Sequence, residues 1–319
     1  MEVSRCPLIA ALNRLCRSTA RTVKRHVATP VHDGAIVSVT TRAVWYIESH
    51  LSGDLSLDAI ADAVGVSRFH LSRAFGLTVG CALTSYVRAR RLSEAARTLV
   101  NGAPDIMAVA LDSGYGSHEA FTRAFRQHFG LTPDVLRQRA DGAGLSGSHG
   151  IQLMEPIRMT DHKSTTTLAP PRIVRSDALL IFGLGQRYYK SNAGIPSQWD
   201  RFIPYLGNIP GQVDDMTYGV ICNTDDTGSI EYICGVQVRE FPDHPAEFSR
   251  VRIPPQTYAV FEHRDHVSSV SDTWQAIWNH ELSSAGHKAT DGPAFERYGQ
   301  GFDPRTGRGG LEIWVPISA

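Results

Sequence analysis

The sequence predicts an all-α N-terminal domain with two tandem helix-turn-helix units, followed by an α+β C-terminal domain. Three observations predict it. The first is an internal repeat. Gly65-Val66-Ser67-Arg68-Phe69-His70-Leu71-Ser72-Arg73-Ala74-Phe75, with Gly80 after it, recurs as Gly114-Tyr115-Gly116-Ser117-His118-Glu119-Ala120-Phe121-Thr122-Arg123-Ala124-Phe125, with Gly130 after it. The second is a Gly- and Ser-rich break over 141–150. The third is a change of character beyond Pro171, from helical spacing to short runs rich in β-branched and aromatic residues.

Residues 1–38 show no sustained period and are expected to form a disordered, basic extension. Helical spacing starts near Thr40, with Val44, Ile47 and Leu51 at steps of three and four, and Gly53 breaks it. Ser56 is placed to cap a second helix whose stripe is Leu57, Ile60, Ala61 and Val64. Gly65 turns the chain and Ser67 caps the next helix. A long helix is expected from Leu83 to Val100 with Tyr86, Val87, Ala95, Ala96 and Leu99 inward, ended by Asn101-Gly102 and Pro104. The second repeat then runs from Asp105, and Pro133 opens its last helix at a position where a missing N–H does no harm. These boundaries give a domain over 39–140, a linker over 141–171 and a second domain over 172–319.

In the second domain, strands are expected at Ala178–Gly185, Thr217–Cys222, Ser229–Arg239, Glu247–Ile253, Thr257–His263 and Gly310–Ile317. Helical stretches fall near Ser197–Leu206 and Val270–Leu282.

Composition bounds the function. The formal charge is zero, but residues 1–150 hold 17 Lys+Arg against 12 Asp+Glu and residues 151–319 hold 15 against 20. A basic half suits a polyanion and an acidic half does not. Five cysteines without CxxC spacing argue against a disulfide framework or a structural zinc site, and fit a reducing compartment. No apolar run reaches membrane-spanning length, so a cytoplasmic protein is expected. No cofactor is expected either. Gly183-Leu184-Gly185 lacks the third glycine of a dinucleotide loop, and no nucleophile elbow occurs. His263 and His266 have metal-like spacing without a third ligand and are expected to be surface or hydrogen-bonding residues.

On a helical wheel, Leu71, Ala74 and Phe75 share one face of the first repeat's helix, while Phe69, Ser72 and Arg73 point away with Arg68 at the flank. In the second, Phe121, Ala124 and Phe125 point inward. Glu119, Thr122, Arg123 and Arg126 point outward with His118 at the flank. Arg can bind guanine in bidentate fashion, Ser and Thr serve base or phosphate, and Glu accepts from cytosine N4. The helix N-termini at Ser67 and Ser117 suit phosphate. The alternative is a pair of helical hairpins with solvated polar faces.

With Ile60-Ala61, Leu71–Phe75, Tyr86, Arg90, Val109-Ala110, Phe121–Phe125, Phe129-Gly130 and Pro133, residues 40–139 resemble the DNA-binding domain of AraC/XylS regulators. The resemblance implies two recognition helices in adjacent major-groove segments. It puts base contacts at Phe69, Ser72 and Arg73, then at His118, Glu119, Thr122 and Arg123.

The chain closes on Leu311-Glu312-Ile313-Trp314-Val315-Pro316-Ile317, where period two puts Glu312 and Trp314 on one face. From spacing, Glu312 is an edge carboxylate in solvent, a partner for an Arg, or a buried acid that attracts cations. Residues 172–318 resemble the GyrI-like effector-binding domain through Ala178–Gly185, Trp199–Phe202, Thr273–Trp278, Pro293–Tyr298 and Glu312–Ile317. That resemblance implies two pseudo-symmetric strand-helix-strand-strand units around a groove, with Glu312 as its acid and Trp199, Tyr258, Trp274 and Trp314 as its aromatic walls. The expectation is a regulator that binds double-stranded promoter DNA and a small apolar, cationic effector, with RNA polymerase as a further partner. Two alternatives stand beside it. The second domain could be a Glu-dependent small-molecule hydrolase or a protein-docking module.

Overall fold

The computed structural model describes residues 37–53, 55–103, 105–143, 151–158, 168–189, 192–225, 229–243 and 247–318. The extension expected over residues 1–38 lies outside these residues apart from its last two, as do Pro104 and residues 144–150 of the linker. The described chain packs as two compact units. One draws on the described residues within 43–60 and 84–158, the other on those within 37–42, 61–83 and 168–318. Residues 61–83, expected to belong with the N-terminal domain alone, pack with C-terminal elements, for a reason given below.

The N-terminal helices are α1 (Val39–Ser49), α2 (Leu57–Val64), α3 (Arg68–Val79), α4 (Leu83–Val100), α5 (Ile106–Asp112), α6 (His118–Phe129) and α7 (Pro133–Ala143). Their ends follow the sequence signals. The hydroxyls of Ser67 and Ser117 accept from the backbone N–H of His70 and Ala120, at 3.2 Å each. Gly80 and Gly130 close α3 and α6 in the left-handed region, at φ 74° and 77°.

In the first unit, α4, α5, α6 and α7 share a core of Leu92, Ala96, Leu99, Val109, Ala110, Phe121, Phe125 and Leu136. A second element of this unit is polar and buried. Arg90 is 2% exposed. Its guanidinium reaches both carboxylate oxygens of Glu48 at 2.9 and 2.7 Å, Glu94 at 3.0 Å and the Met154 carbonyl at 2.8 Å. Tyr86 donates to the same Glu48 at 2.7 Å. Burial opposes the charged form of Arg90, but Glu48 and then Glu94 outweigh it and raise its pKa. The segment 151–158 was expected to be linker. It is instead held on α4, where the Met154 N–H donates to Ser93 Oγ at 2.8 Å and Ile151 and Leu153 join the core. Its apolar Ile151, Leu153 and Met154 show no helical or strand period, and its anchor depends on backbone groups that composition does not encode.

The second unit contains β1 (Arg172–Ser176), β2 (Leu179–Tyr188), α8 (Ile195–Phe202), β3 (Gln212–Cys222), β4 (Ile230–Val238), β5 (Phe248–Ile253), β6 (Gln256–His263), α9 (Val270–Ala276), β7 (Ala294–Tyr298) and β8 (Leu311–Ile317). Helix α9 continues through a π-helical stretch, Ile277–Glu281, into Leu282–Ser284. The eight strands form one sheet in the order β1-β6-β8-β7-β3-β4-β2-β5, with every pairing antiparallel.

Strand register sorts the side chains onto two faces, because directly opposed residues point the same way. Phe295 opposes Val220 and Trp314, and Arg297 opposes Tyr218 and Glu312. These lie on one face with Tyr258, Val260, Ile181 and Ile233. Glu296 opposes Gly219 and Ile313 on the other face. There Phe182, Leu184, Tyr232, Cys234 and Val236 pack beneath Phe202 of α8.

Candidate nucleic-acid interface and ligand site

Helix α6 presents a polar surface because its two inward aromatics are fully used. Phe121 and Phe125 are buried at 0% exposure, and their rings lie 5.4 Å apart. This leaves Glu119, Arg123 and Arg126 exposed. His118, Glu119, Thr122, Arg123, Arg126, Gln127 and Thr132 line one shallow, open concavity. The Glu119 carboxyl sits below the usual range because its own backbone N–H, and then the Ser117 hydroxyl, hydrogen-bond it. It is therefore an acceptor at neutral pH. The predicted set on this helix is brought together as one surface.

Helix α3 differs. Leu71, Ala74 and Phe75 are buried as predicted, and Ser67, Arg68, Phe69 and Ser72 are half-buried. Arg73 Nη2 donates to Thr224 Oγ1 at 3.0 Å, and the guanidinium lies 5.7 Å from the centroid of the Trp278 ring. The buried His70, to which the sequence assigned no role, hydrogen-bonds the Trp278 carbonyl through Nε2. These contacts explain why 61–83 packs with the C-terminal elements.

His70 has a consequence for stability. It is 1% exposed, and burial lowers its pKa to about 4, from the ordinary 6.5. The unfolded chain therefore takes up this proton first as the pH falls. The stabilisation is complete above pH 6.5 and is lost between 6.5 and 4, up to about 3 kcal/mol. Denaturation midpoints measured across that window should fall more steeply for the native chain than for His70→Gln. Parallel curves would contradict the assignment.

The five predicted ligand residues fall on two faces of the sheet. Trp199 and Trp274 lie on the face that carries α8. Tyr258, Trp314 and Glu312 lie on the other, where Tyr258, Trp314 and Phe295 pack with ring centroids 5.2–5.6 Å apart. Glu312 is ion-paired. Arg297 reaches its Oε2 at 2.6 Å, Arg172 reaches its Oε1, and the Trp314 indole N–H donates to it at 3.1 Å. Arg297 also stacks on Trp314, 4.5 Å from the ring centroid. Of the three possibilities left open by spacing, this arrangement is the carboxylate paired with arginine.

The acid that gathers Trp274 and Trp199 is Glu296, 5% exposed. Trp274 Nε1 donates to its Oε1 at 2.8 Å. The hydroxyls of Tyr232 and Tyr298 donate to its Oε2 at 2.7 and 2.9 Å. The half-buried Trp199 donates to Tyr232 Oη at 3.2 Å and meets the Tyr298 ring edge-on at 5.2 Å. Burial, then the charge of Glu296, raises the pKa of both tyrosines far above the phenol range, so both remain donors. Among the described residues no Arg, Lys or His pairs with Glu296, in contrast to Glu312. Gly219 is required beneath it. A Cβ there would come within 2.0 Å of Tyr232 Oη and 2.8 Å of Glu296 Oε2. Sequence reading placed Glu296 within a motif but gave it no role. The missed signal was its alternation with Tyr298 on a strand facing Trp274.

His263 uses both ring nitrogens, on Thr273 Oγ1 at 2.8 Å and the His266 carbonyl at 3.1 Å. No cluster suited to a metal occurs among the described residues, and no described helix is long and apolar enough to cross a membrane.

Comparison with known proteins matches residues 169–318 to the GyrI-like small molecule binding domain and residues 60–139 to a helix-turn-helix domain. Transcriptional regulator BrlR of Pseudomonas aeruginosa is 33% identical over 150 residues, covering 46% of this chain and 54% of its own length, so the match spans about half of that relative. Right origin-binding protein of Escherichia coli K12 is 26% identical over 288 residues, 86% of this chain and 96% of that protein. HTH-type transcriptional activator AarP of Providencia stuartii is 32% identical over 119 residues, 37% of this chain and 84% of that protein.

Proposed function

Since the chain belongs to the AraC family of DNA-binding transcription regulators and carries a GyrI-like small-molecule-binding domain, we propose that it senses a lipophilic cation at Glu296 and reads promoter DNA with α3 and α6. The relatives are named as regulators and activators, which favours this reading over a hydrolase or a docking module.

The observation that carries the ligand assignment is the Glu296 cage. Three neutral donors hold the carboxylate, no cation pairs with it among the described residues, and Trp199 packs edge-on against Tyr298 beside it. A permanent cation with apolar substituents complements both parts through Coulomb attraction and cation–π contact. Glu312, Trp314 and Tyr258 serve on this reading as the packed opposite face, with Glu312 neutralised by its arginines. The strand-helix-strand-strand orders β2-α8-β3-β4 and β6-α9-β7-β8 support reading the domain as two pseudo-symmetric halves.

On DNA, α6 inserts Arg123, Thr122, Glu119 and His118 toward base edges. Arg126 and the Ser117 end serve phosphate. Helix α3 does the same with Ser67, Arg68, Phe69, Ser72 and Arg73. The test is selection of a duplex from random sequence by the full chain. An Arg123→Ala variant, titrated against that duplex at fixed salt, should lose about 1–3 kcal/mol of specific binding and relax one position of the site. An unchanged profile would remove Arg123 from the readout.

A further inference from the structure

The first reading helix is already occupied. Its Arg73 directs Nη2 to Thr224 and lies over Trp278, and no carboxylate forms an ion pair with it among the described residues. Burial lowers its pKa to about 10, and the charge of Asp291 offsets this only in part. Two further contacts hold α3. His70 bonds the Trp278 carbonyl and Asn279 Nδ2 donates to Thr78 Oγ1 at 2.8 Å, while Asn279 Oδ1 accepts from Thr40 Oγ1 of α1 at 2.7 Å. Trp278 and Asn279 both lie in the π-helical stretch after α9, a conformation common at functional sites.

The same stretch reaches the ligand site. The Trp278 ring stacks on Trp274 at 6.2 Å and 7°, and Trp274 donates to Glu296 at 2.8 Å. Glu296, Trp274, Trp278 and Arg73 therefore form a continuous series of contacts from the sensor acid to a base-reading side chain. Arg73 cannot hold a guanine while it holds Thr224 and Trp278. A ligand that claims Glu296 competes with Trp274 for its Oε1, and Trp274 lies parallel to Trp278.

We propose that Trp278, Asn279 and Thr224 form an autoinhibitory latch on α3, and that a cation taking Glu296 from Trp274 opens it. The inference rests on the reading of α3 as a DNA-binding helix and of Glu296 as the effector acid. Its energetic logic requires two states of the protein that the cation and the DNA both discriminate.

The test uses the full chain and its selected duplex. Thr224→Ala with Asn279→Ala cuts the latch without touching Glu296 or any base-reading side chain. In the absence of effector this variant should bind the duplex at least about fivefold more tightly than the native chain, within the usual range of allosteric coupling. A lipophilic quaternary ammonium cation should tighten native binding and leave the variant unchanged. Equal or weaker binding by the folded double variant would overturn the latch. A tightened variant beside a native chain that ignores the cation would overturn only the link to Glu296. Arg73→Ala in the cut background separates the underlying reading. If it binds as tightly as its parent, Arg73 is no base reader, while the latch stands. A Thr78→Cys, Asn279→Cys pair supplies an independent check. Its oxidised, cross-linked form should lose affinity for the duplex and regain it with reductant. Equal binding in both redox states would refute the proposal.

Discussion

Replacing Glu296 with glutamine is expected to abolish cation binding while leaving the fold intact. The cage explains both halves of the expectation. Trp274 can only donate, so the glutamine oxygen must take its side, opposite the indole N–H now bonded at 2.8 Å. The amide nitrogen then faces Tyr232 and Tyr298, whose hydroxyls can turn and accept. The shape and the bond to Trp274 survive, the two tyrosine bonds reverse direction, and the charge is lost. Losing one partner of a desolvated charge pair costs binding roughly 2–5 kcal/mol. Calorimetric titration with a lipophilic quaternary ammonium cation measures it. Glu312→Gln is the control. Its carboxylate is already neutralised by Arg172 and Arg297, so cation affinity should change by less than about tenfold. Loss of binding in Glu312→Gln with retention in Glu296→Gln would reverse the assignment.

Arg90→Ala is expected to be the most damaging single change in the first unit. The side chain is buried and its donors serve Glu48, Glu94 and the Met154 carbonyl. Its removal leaves Glu48 with only Tyr86 among the described residues and strips the Met154 carbonyl of its donor, one of several bonds that hold 151–158 on α4. Breaking a buried ion pair by deleting one partner costs about 3–5 kcal/mol. Arg90→Lys should recover only part of this, because an ammonium cannot span both oxygens of Glu48 while reaching a carbonyl. Urea denaturation of the two variants decides the matter. A loss below about 1 kcal/mol for Arg90→Ala would show that the network contributes little.

Most of the helical half was legible because its signals are local. Ser67 and Ser117 cap, Gly80 and Gly130 terminate, and Leu71, Phe75, Phe121 and Phe125 mark the inward face by spacing alone. The strands with apolar alternation were also legible. β1 and β7 were not. Arg172-Ile173-Val174-Arg175-Ser176 is short and carries arginines three residues apart, which puts a charge on each face. Ala294-Phe295-Glu296-Arg297-Tyr298 carries a charge toward each face, which no burial pattern anticipates. Its acid is tolerated because three donors arrive from β4, α9 and β7 itself, 64, 22 and 2 residues away in sequence. Glu312 drew attention because its Trp neighbour is local. The two arginines that neutralise it, one of them 140 residues distant, are visible only once β1, β7 and β8 are placed. The packing of α3 on the C-terminal stretch was hidden for the same reason. His70 and Arg73 lie 208 and 151 residues from their hydrogen-bond partners.

The central claim is that occupancy of Glu296 sets the affinity of this chain for DNA. Equilibrium binding of the full chain to its selected duplex, with and without a saturating lipophilic quaternary ammonium cation, tests it in the native protein and in Glu296→Gln. The account predicts tighter binding in the native protein when the cation is present and no response in the variant. A native chain that binds the cation through Glu296 while its DNA affinity stays the same would contradict it.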